Sequence, residues 1–258
     1  LSGRARPLGA GDGPHAGLFG AAPKADRSQQ EDCRGPGHPC ASLSFLKKRW
    51  AWIKESFPST APGHSTVSGT ATMAAYARAG QQWTFYEINP AVVRIAEDPR
   101  YFTYLTECAK GPYRIDVGDA RLSLERAAST RHDVLILDAF SSDSIPVHLV
   151  TRESLAIYLA RLAPGGVVAF HISNRYLDLE PVVLSLARDA GLAAIIRRDL
   201  ASDDQRRQGK LESVWALVAR RSDDFGSLAS DPRWTALRNA RLPVWTDDFS
   251  NILTVLNW

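Results

Sequence analysis

The chain has 258 residues, 45% hydrophobic and 23% charged, which is ordinary for a globular protein and enough for one sizeable domain with or without an appendage. Its net charge of +3 is uneven: residues 1–65 hold 9 Lys and Arg against 5 Asp and Glu, and the remainder 22 against 23. The later part therefore lacks the basic stripe of a nucleic-acid binder, and no run approaches the roughly 18 apolar residues of a membrane helix.

Residues 1–65 are rich in Gly, Pro, Ala, Ser and Arg with little periodicity, the composition of an atypical or disordered segment. Their start lacks the apolar core of a secretory leader, and with Met73 as the single Met a fragment or processed chain is expected. Within the segment, residues 42–57 (SLSFLKKRWAWIKESF) place Phe45, Leu46, Trp50 and Ile53 near helical spacing behind a cap at Ser42. Either a basic amphipathic helix for a surface or partner, or a marginal helix against the next domain, fits that pattern. Cys33, Cys40 and His38 imitate a metal cluster, but no second pair completes it, so no metal site is expected.

The remainder, 66–258, changes rhythm. TMAAYARAG reads as a helix ending at Gly80, WTFYEI as a strand, and PAVVRIAED as a helix with Pro90 in its first turn. Next come strand YRIDV, helix ARLSLERAA and strand DVLILD. The stretch TRESLAIYLARLAPGG predicts a helix capped by Thr151 and stopped at Gly165. Strand VVAFHIS, helix LEPVVLSLARDAG and strands LAAIIRRD and SVWALVARR follow. This alternation predicts an α/β domain with a doubly wound, mostly parallel sheet, whose ligands bind beyond the carboxyl ends of the strands.

Three acids fall there. Glu87 ends one strand, where a carboxylate can accept both hydroxyls of a ribose. Asp119 follows the next strand as a helix N-cap, a ligand group or both. Asp138 ends the third, and Asp143 follows in a serine-rich loop. Three such acids predict a nucleoside pocket with a charged centre. His148 and His171 are expected to pack or hydrogen-bond rather than act as bases, and Tyr158 and Trp83 to lie in the core. Ser141 and Ser142 lack the G-x-S-x-G setting of a hydrolase nucleophile.

The runs MAAYARAGQQWTFYEINPAVVRIAEDPRYFTYL, GDARLSLERA, DVLILDAFSSDSIPVHLVTRESLAIYLARLAPGGVVAFHISNRYLDLEPVV and WTDDFSNIL resemble, in order, the spermidine synthase-like (polyamine aminopropyltransferase) family. The likeness is to its bacterial group often fused to membrane transporter-like segments. The resemblance implies a methyltransferase-like Rossmann fold, no tightly bound cofactor, and decarboxylated S-adenosylmethionine as co-substrate. An aminopropyl group would pass to a diamine such as putrescine, leaving methylthioadenosine. Glu87 matches the acid on the ribose hydroxyls, Asp119 and Ala120 the pair at the adenine, and Asp138 the first acid of the catalytic loop. Gly69 and Thr70 match what survives of the glycine loop. It also implies a cytoplasmic protein, and a homodimer remains an option.

Two departures stand beside the likeness. The loop's second acid normally follows after two residues, whereas Asp143 follows Asp138 after four. The stretch APGHSTVSGTAT carries Ala71 where a second Gly belongs, behind a barely apolar segment, so a missing central strand is expected. Asp247 and Asp248 read equally as pocket acids or as caps. An S-adenosylmethionine-dependent methyltransferase, or a catalytically impaired nucleoside-binding remnant, stays open as an alternative.

Overall fold

The computed structural model describes residues 64–68, 72–127, 129–139, 146–207, 210, 212–238 and 242–257. The helix expected at 42–57, Cys33, His38, Cys40, Gly69, Thr70, Ala71, Ser141, Ser142 and Asp143 lie outside them.

Among the described residues seven strands form one sheet: β1 (His64–Ser68), β2 (Trp83–Glu87), β3 (Tyr113–Val117), β4 (His132–Asp138), β5 (Leu162–His171), β6 (Ala193–Asp199) and β7 (Ser213–Ala219). Among the described residues five α-helices accompany them: α1 (Pro90–Glu97), α2 (Ala120–Arg126), α3 (Arg152–Arg161), α4 (Glu180–Asp189) and α5 (Asp203–Arg207). The strand order is β3-β2-β1-β4-β5-β7-β6. β1 to β5 run parallel, and β7 slots antiparallel between β5 and β6. This is a methyltransferase-like Rossmann fold.

Sidedness follows from the period of two along each strand. Val134 and Ile136 of β4, Val167 and Ala169 of β5, and Trp215 and Leu217 of β7 join one core with Met73, Trp83, Phe85 and Phe225. Leu135, Leu137, Val168, Phe170, Ala216 and Val218 point the other way into a second core under α2, α3 and α4, with Tyr158 and Trp245. A sheet buried on both faces needs continuous apolar runs, which is why VLIL and VVAF carry no polar alternation. Tyr158 and Trp83 lie in these cores, as expected.

Three expectations need correction. The central strand is present: β1 pairs with β2 from His64↔Trp83 and with β4 as far as Ser68↔Asp138, so polar HSTVS fills the middle of the sheet. It also runs across the boundary placed at 65/66. The segment after it is a 3₁₀ turn, Thr72–Tyr76, rather than a helix reaching Gly80. Finally, Gly165 does not stop α3. That helix ends at Arg161, and β5 begins at once, paired through Leu162 to His132. Gly165, at φ 76°, sits in the irregularity that moves the register between His132↔Leu162 and Val134↔Val167. Glycine tolerates that conformation, so here it marks a bulge instead of a helix end.

Candidate functional site

The parallel strands present their carboxyl ends at one rim. There β3, β2, β1, β4 and β5 end at Val117, Glu87, Ser68, Asp138 and His171 in spatial order. Glu87 and Asp138 lie two strands apart, about 10 Å at ordinary strand spacing. By alternation Glu87 continues the face of Trp83 and Phe85, Asp138 that of Val134 and Ile136, and His171 that of Val167 and Ala169. The three polar groups therefore leave the sheet on the same side.

Glu87 Oε1 accepts the backbone N–H of Asn89 at 2.9 Å. Burial pushes its carboxyl above the ordinary glutamate range, partly offset by the Asn89 and Ile88 amides. The Gly118 amide donates to the Glu87 carbonyl at 2.9 Å, one residue past the end of the β2–β3 ladder. Asn89 caps α1 by accepting from Ala91, and Pro90 occupies the first turn.

Asp119 is the N-cap of α2: Oδ1 accepts the Leu122 amide at 2.9 Å. Its other oxygen lies 3.1 Å from His148 Nε2. Ala120 opens the helix and is buried in the core with Tyr86 and Leu124. The neighbouring Arg121 donates two bonds to Asp247 and one to the His148 carbonyl, at 3.0 Å. Asp247 also accepts from Thr151 Oγ1 at 2.8 Å, and its amide donates to Glu153. The Arg121 guanidinium, ahead of other causes, holds the Asp247 carboxyl below the usual range. Asp247 thus ties the C-terminal tail to the first turn of α3, where Thr151 and Ser154 form a capping box.

Asp138 faces His171 on the next strand, Oδ1 against Nδ1. The His171 ring is buried and stacked on Trp215 at 4.5 Å between centroids and 12° between planes. Its Nε2 lies 2.8 Å from Ser173 Oγ, which accepts the Val214 amide at 2.7 Å. Beyond His171 and Ser173 opens a cavity of about 590 Å³, continued by Asn174, Asp178 and Glu212. Its far wall is braced: buried Glu180 accepts from Arg198 and twice from Arg238, and Arg238 also reaches Asp178 at 2.8 Å. Burial raises the Glu180 carboxyl, but these donors outweigh it and hold it low.

The structure thus brings Glu87, Asp119 and Asp138 to one rim. His148 and His171 both hydrogen-bond, as expected, and each does so to one of those acids. Sequence reasoning missed Ser173, Arg121 and the Glu180–Arg198–Arg238 group. Ser173 lies two residues beyond β5 in VVAFHIS, which is the only local signal for it. Among the described residues no group of three or more His, Cys, Asp or Glu could hold a metal ion, and no helix is long and apolar enough to cross a membrane.

No family model matches the chain. A polyamine aminopropyltransferase of Vibrio vulnificus is 39% identical over 84 residues, which is 32% of this chain and 26% of that protein. The match spans about a quarter of the relative's length. Among solved structures, a spermidine synthase from Thermotoga maritima is similar at TM-score 0.49 and 13% identity, covering 80% of this chain and 69% of that one. A probable spermidine synthase from Corynebacterium glutamicum is similar at 0.47 and 20%, covering 70% and 63%. An O-methyltransferase from Bacillus cereus is similar at 0.42 and 11%, covering 76% and 91%.

Proposed function

We propose that the chain is an aminopropyltransferase that moves an aminopropyl group from decarboxylated S-adenosylmethionine to a small diamine such as putrescine. The observation that carries the reading is the row of carboxylates along the rim: Glu87 and Asp119 at one end, Asp138 two strands away. Glu87 would accept the ribose hydroxyls, since one ionised carboxylate matches two vicinal donors. Asp119 and Ala120 would border the adenine, and Gly69 and Thr70, which follow β1 in the sequence, would approach the nucleoside.

Asp138 would stand beside the amine that attacks the transferring carbon. A diamine arrives as an ammonium ion, which cannot attack. Asp138 would hold that cation and accept its proton, as a general base does. The freed nitrogen lone pair then attacks the methylene beside the sulfonium. The carbon–sulfur bond breaks toward sulfur, and methylthioadenosine leaves as a neutral thioether. No free charge forms on the leaving group, so the acid is needed for the amine and not for the departure. The Asp247–Arg121 pair would fix the tail beside this site. Asp143, five residues after Asp138 in the sequence, would add a second acid.

The 39% identity to an aminopropyltransferase over 84 residues supports the reading. The test is methylthioadenosine release from decarboxylated S-adenosylmethionine and putrescine by the full chain, with S-adenosylmethionine and methyl acceptors in parallel. Release that Asp138→Asn abolishes supports aminopropyl transfer. A preference for S-adenosylmethionine turns the reading to methyl transfer. Failure to bind methylthioadenosine by a folded chain overturns the enzyme reading.

A further inference from the structure

We propose that His171 is the positioning residue of the Asp138 carboxylate, with Ser173 fixing its ring from behind; the role of that carboxylate rests on the aminopropyl-transfer reading above. Asp138 and His171 lie on neighbouring parallel strands, and each is the last residue of its strand. The ring has little freedom, because it is 1% exposed and stacked on Trp215. A buried imidazole with both nitrogens engaged is a rigid bracket.

The hydrogen-bond chain also sets where the ring proton sits. Ser173 Oγ accepts the Val214 amide at 2.7 Å and keeps a hydroxyl proton that it can donate to His171 Nε2, 2.8 Å away. In that arrangement Nε2 accepts, and the ring carries its proton on Nδ1 and donates it to Asp138 Oδ1. Backbone amide, hydroxyl, imidazole and carboxylate form one line of donors ending on the acid. Among the described residues no hydrogen bond engages Asp138 Oδ2, and the side chain keeps 15% exposure, so one oxygen is held and the other is left for the amine. His171 gives up no proton in the transfer. It fixes the direction of Oδ2, and with it the place where the amine loses its proton. A base displaced by about 1 Å costs on the order of 100-fold in rate.

The experiment uses the full chain and the variants H171A, H171N and S173A, with kcat and KM measured through methylthioadenosine release. Ring-proton NMR is recorded on the ¹⁵N-histidine-labelled parent and D138N, and near-UV circular dichroism checks that each variant folds. An Asn amide can place an N–H close to where Nδ1–H stood. The expected result is a roughly 100-fold fall in kcat for H171A, KM for the nucleoside within about twofold, and recovery of most of the rate in H171N. S173A, which leaves the ring stacked on Trp215, should lose less. The NMR spectrum should show His171 protonated on Nδ1, with that signal shifted or lost in D138N.

Equal losses in H171A and H171N overturn the proposal in favour of packing alone. So does a ring proton on Nε2 that D138N does not move. A parent that binds methylthioadenosine without turning over sinks the aminopropyl-transfer reading, while the NMR arm still decides whether His171 holds Asp138.

Discussion

His132 opens β4 at the end of the sheet opposite the candidate site and is 2% exposed. Burial, followed by repulsion from Arg114, Arg161 and Arg131, pushes its pKa down to about 4. In the unfolded chain an ordinary histidine titrates near 6.5. Between those values the unfolded state binds a proton that the folded state refuses. Stability therefore rises with pH through this window and falls as the solution is acidified below about 6.5. At pH 5 the unfolded histidine is almost fully charged and the folded one almost fully neutral. The linkage integral from pH 7 to pH 5 is about 2 kcal/mol. With a urea slope of about 3 kcal/mol per M, the unfolding midpoint should drop by roughly 0.6 M. Urea titrations of the parent and of His132→Phe at both pH values isolate this part, because the other titrating groups cancel in the comparison. The variant should lose about 2 kcal/mol less than the parent on acidification. Parallel losses would refute the argument, whatever the variant's absolute stability.

Four further outcomes are expected. Asp138→Asn should cut methylthioadenosine release about 10²- to 10⁴-fold, while calorimetry finds nucleoside affinity within a few-fold of the parent. Glu87→Gln should weaken methylthioadenosine about 10- to 100-fold, the cost of replacing a charged acceptor. Because burial raises the Glu87 carboxyl and the ionised form is the acceptor, parent affinity should fall on acidification through a range above the ordinary glutamate value. The Gln variant should show no such fall. Asp247→Asn keeps the shape but loses the charge paired with Arg121, so hydrogen exchange at 245–249 should quicken while the sheet amides stay protected. A Cβ on Gly111 would lie 2.5 Å from the Arg78 carbonyl and 2.6 Å from that of Gln81; Gly111→Ala should lower Tm by several degrees, as read by calorimetry.

Much of the sheet was legible because its signals are local. VLIL, VVAF and SVWALVA are short apolar runs bounded by turns, and each is a strand. Asn89, Asp119 and Thr151 cap helices through atoms within three residues of themselves. β1 was not legible. HSTVS has one large apolar residue, and its place in the middle of the sheet comes from pairing with strands more than a dozen residues away. The start of β5 was hidden for a similar reason: Pro164 and Gly165 read as a helix end, while pairing with β4 decides otherwise. The same divide runs through the site. Three acids at strand ends could be read from the chain, but Asp138 meets its histidine 33 residues on, and Arg121 meets Asp247 after 126. No local pattern encodes those distances.

The place of β7 bears on the order in which the protein can be built. β6 is made before β7 but has no partner in the sheet until β7 arrives, because β7 lies between it and β5. A nascent chain emerging from the ribosome at about 5–20 residues per second can pair β1 to β5 as they appear, and must hold β6 unpaired in the meantime. Trp215, on which His171 stacks, belongs to that late strand, and Val214, which binds Ser173, precedes it by one residue. A nascent chain stopped short of Ser213 would carry Glu87, Asp119 and Asp138 with the bracket of Asp138 still missing. Glu87 and Asp119 meet their partners within β1 to α3, whereas the bracket of Asp138 is complete only once β7 has been made.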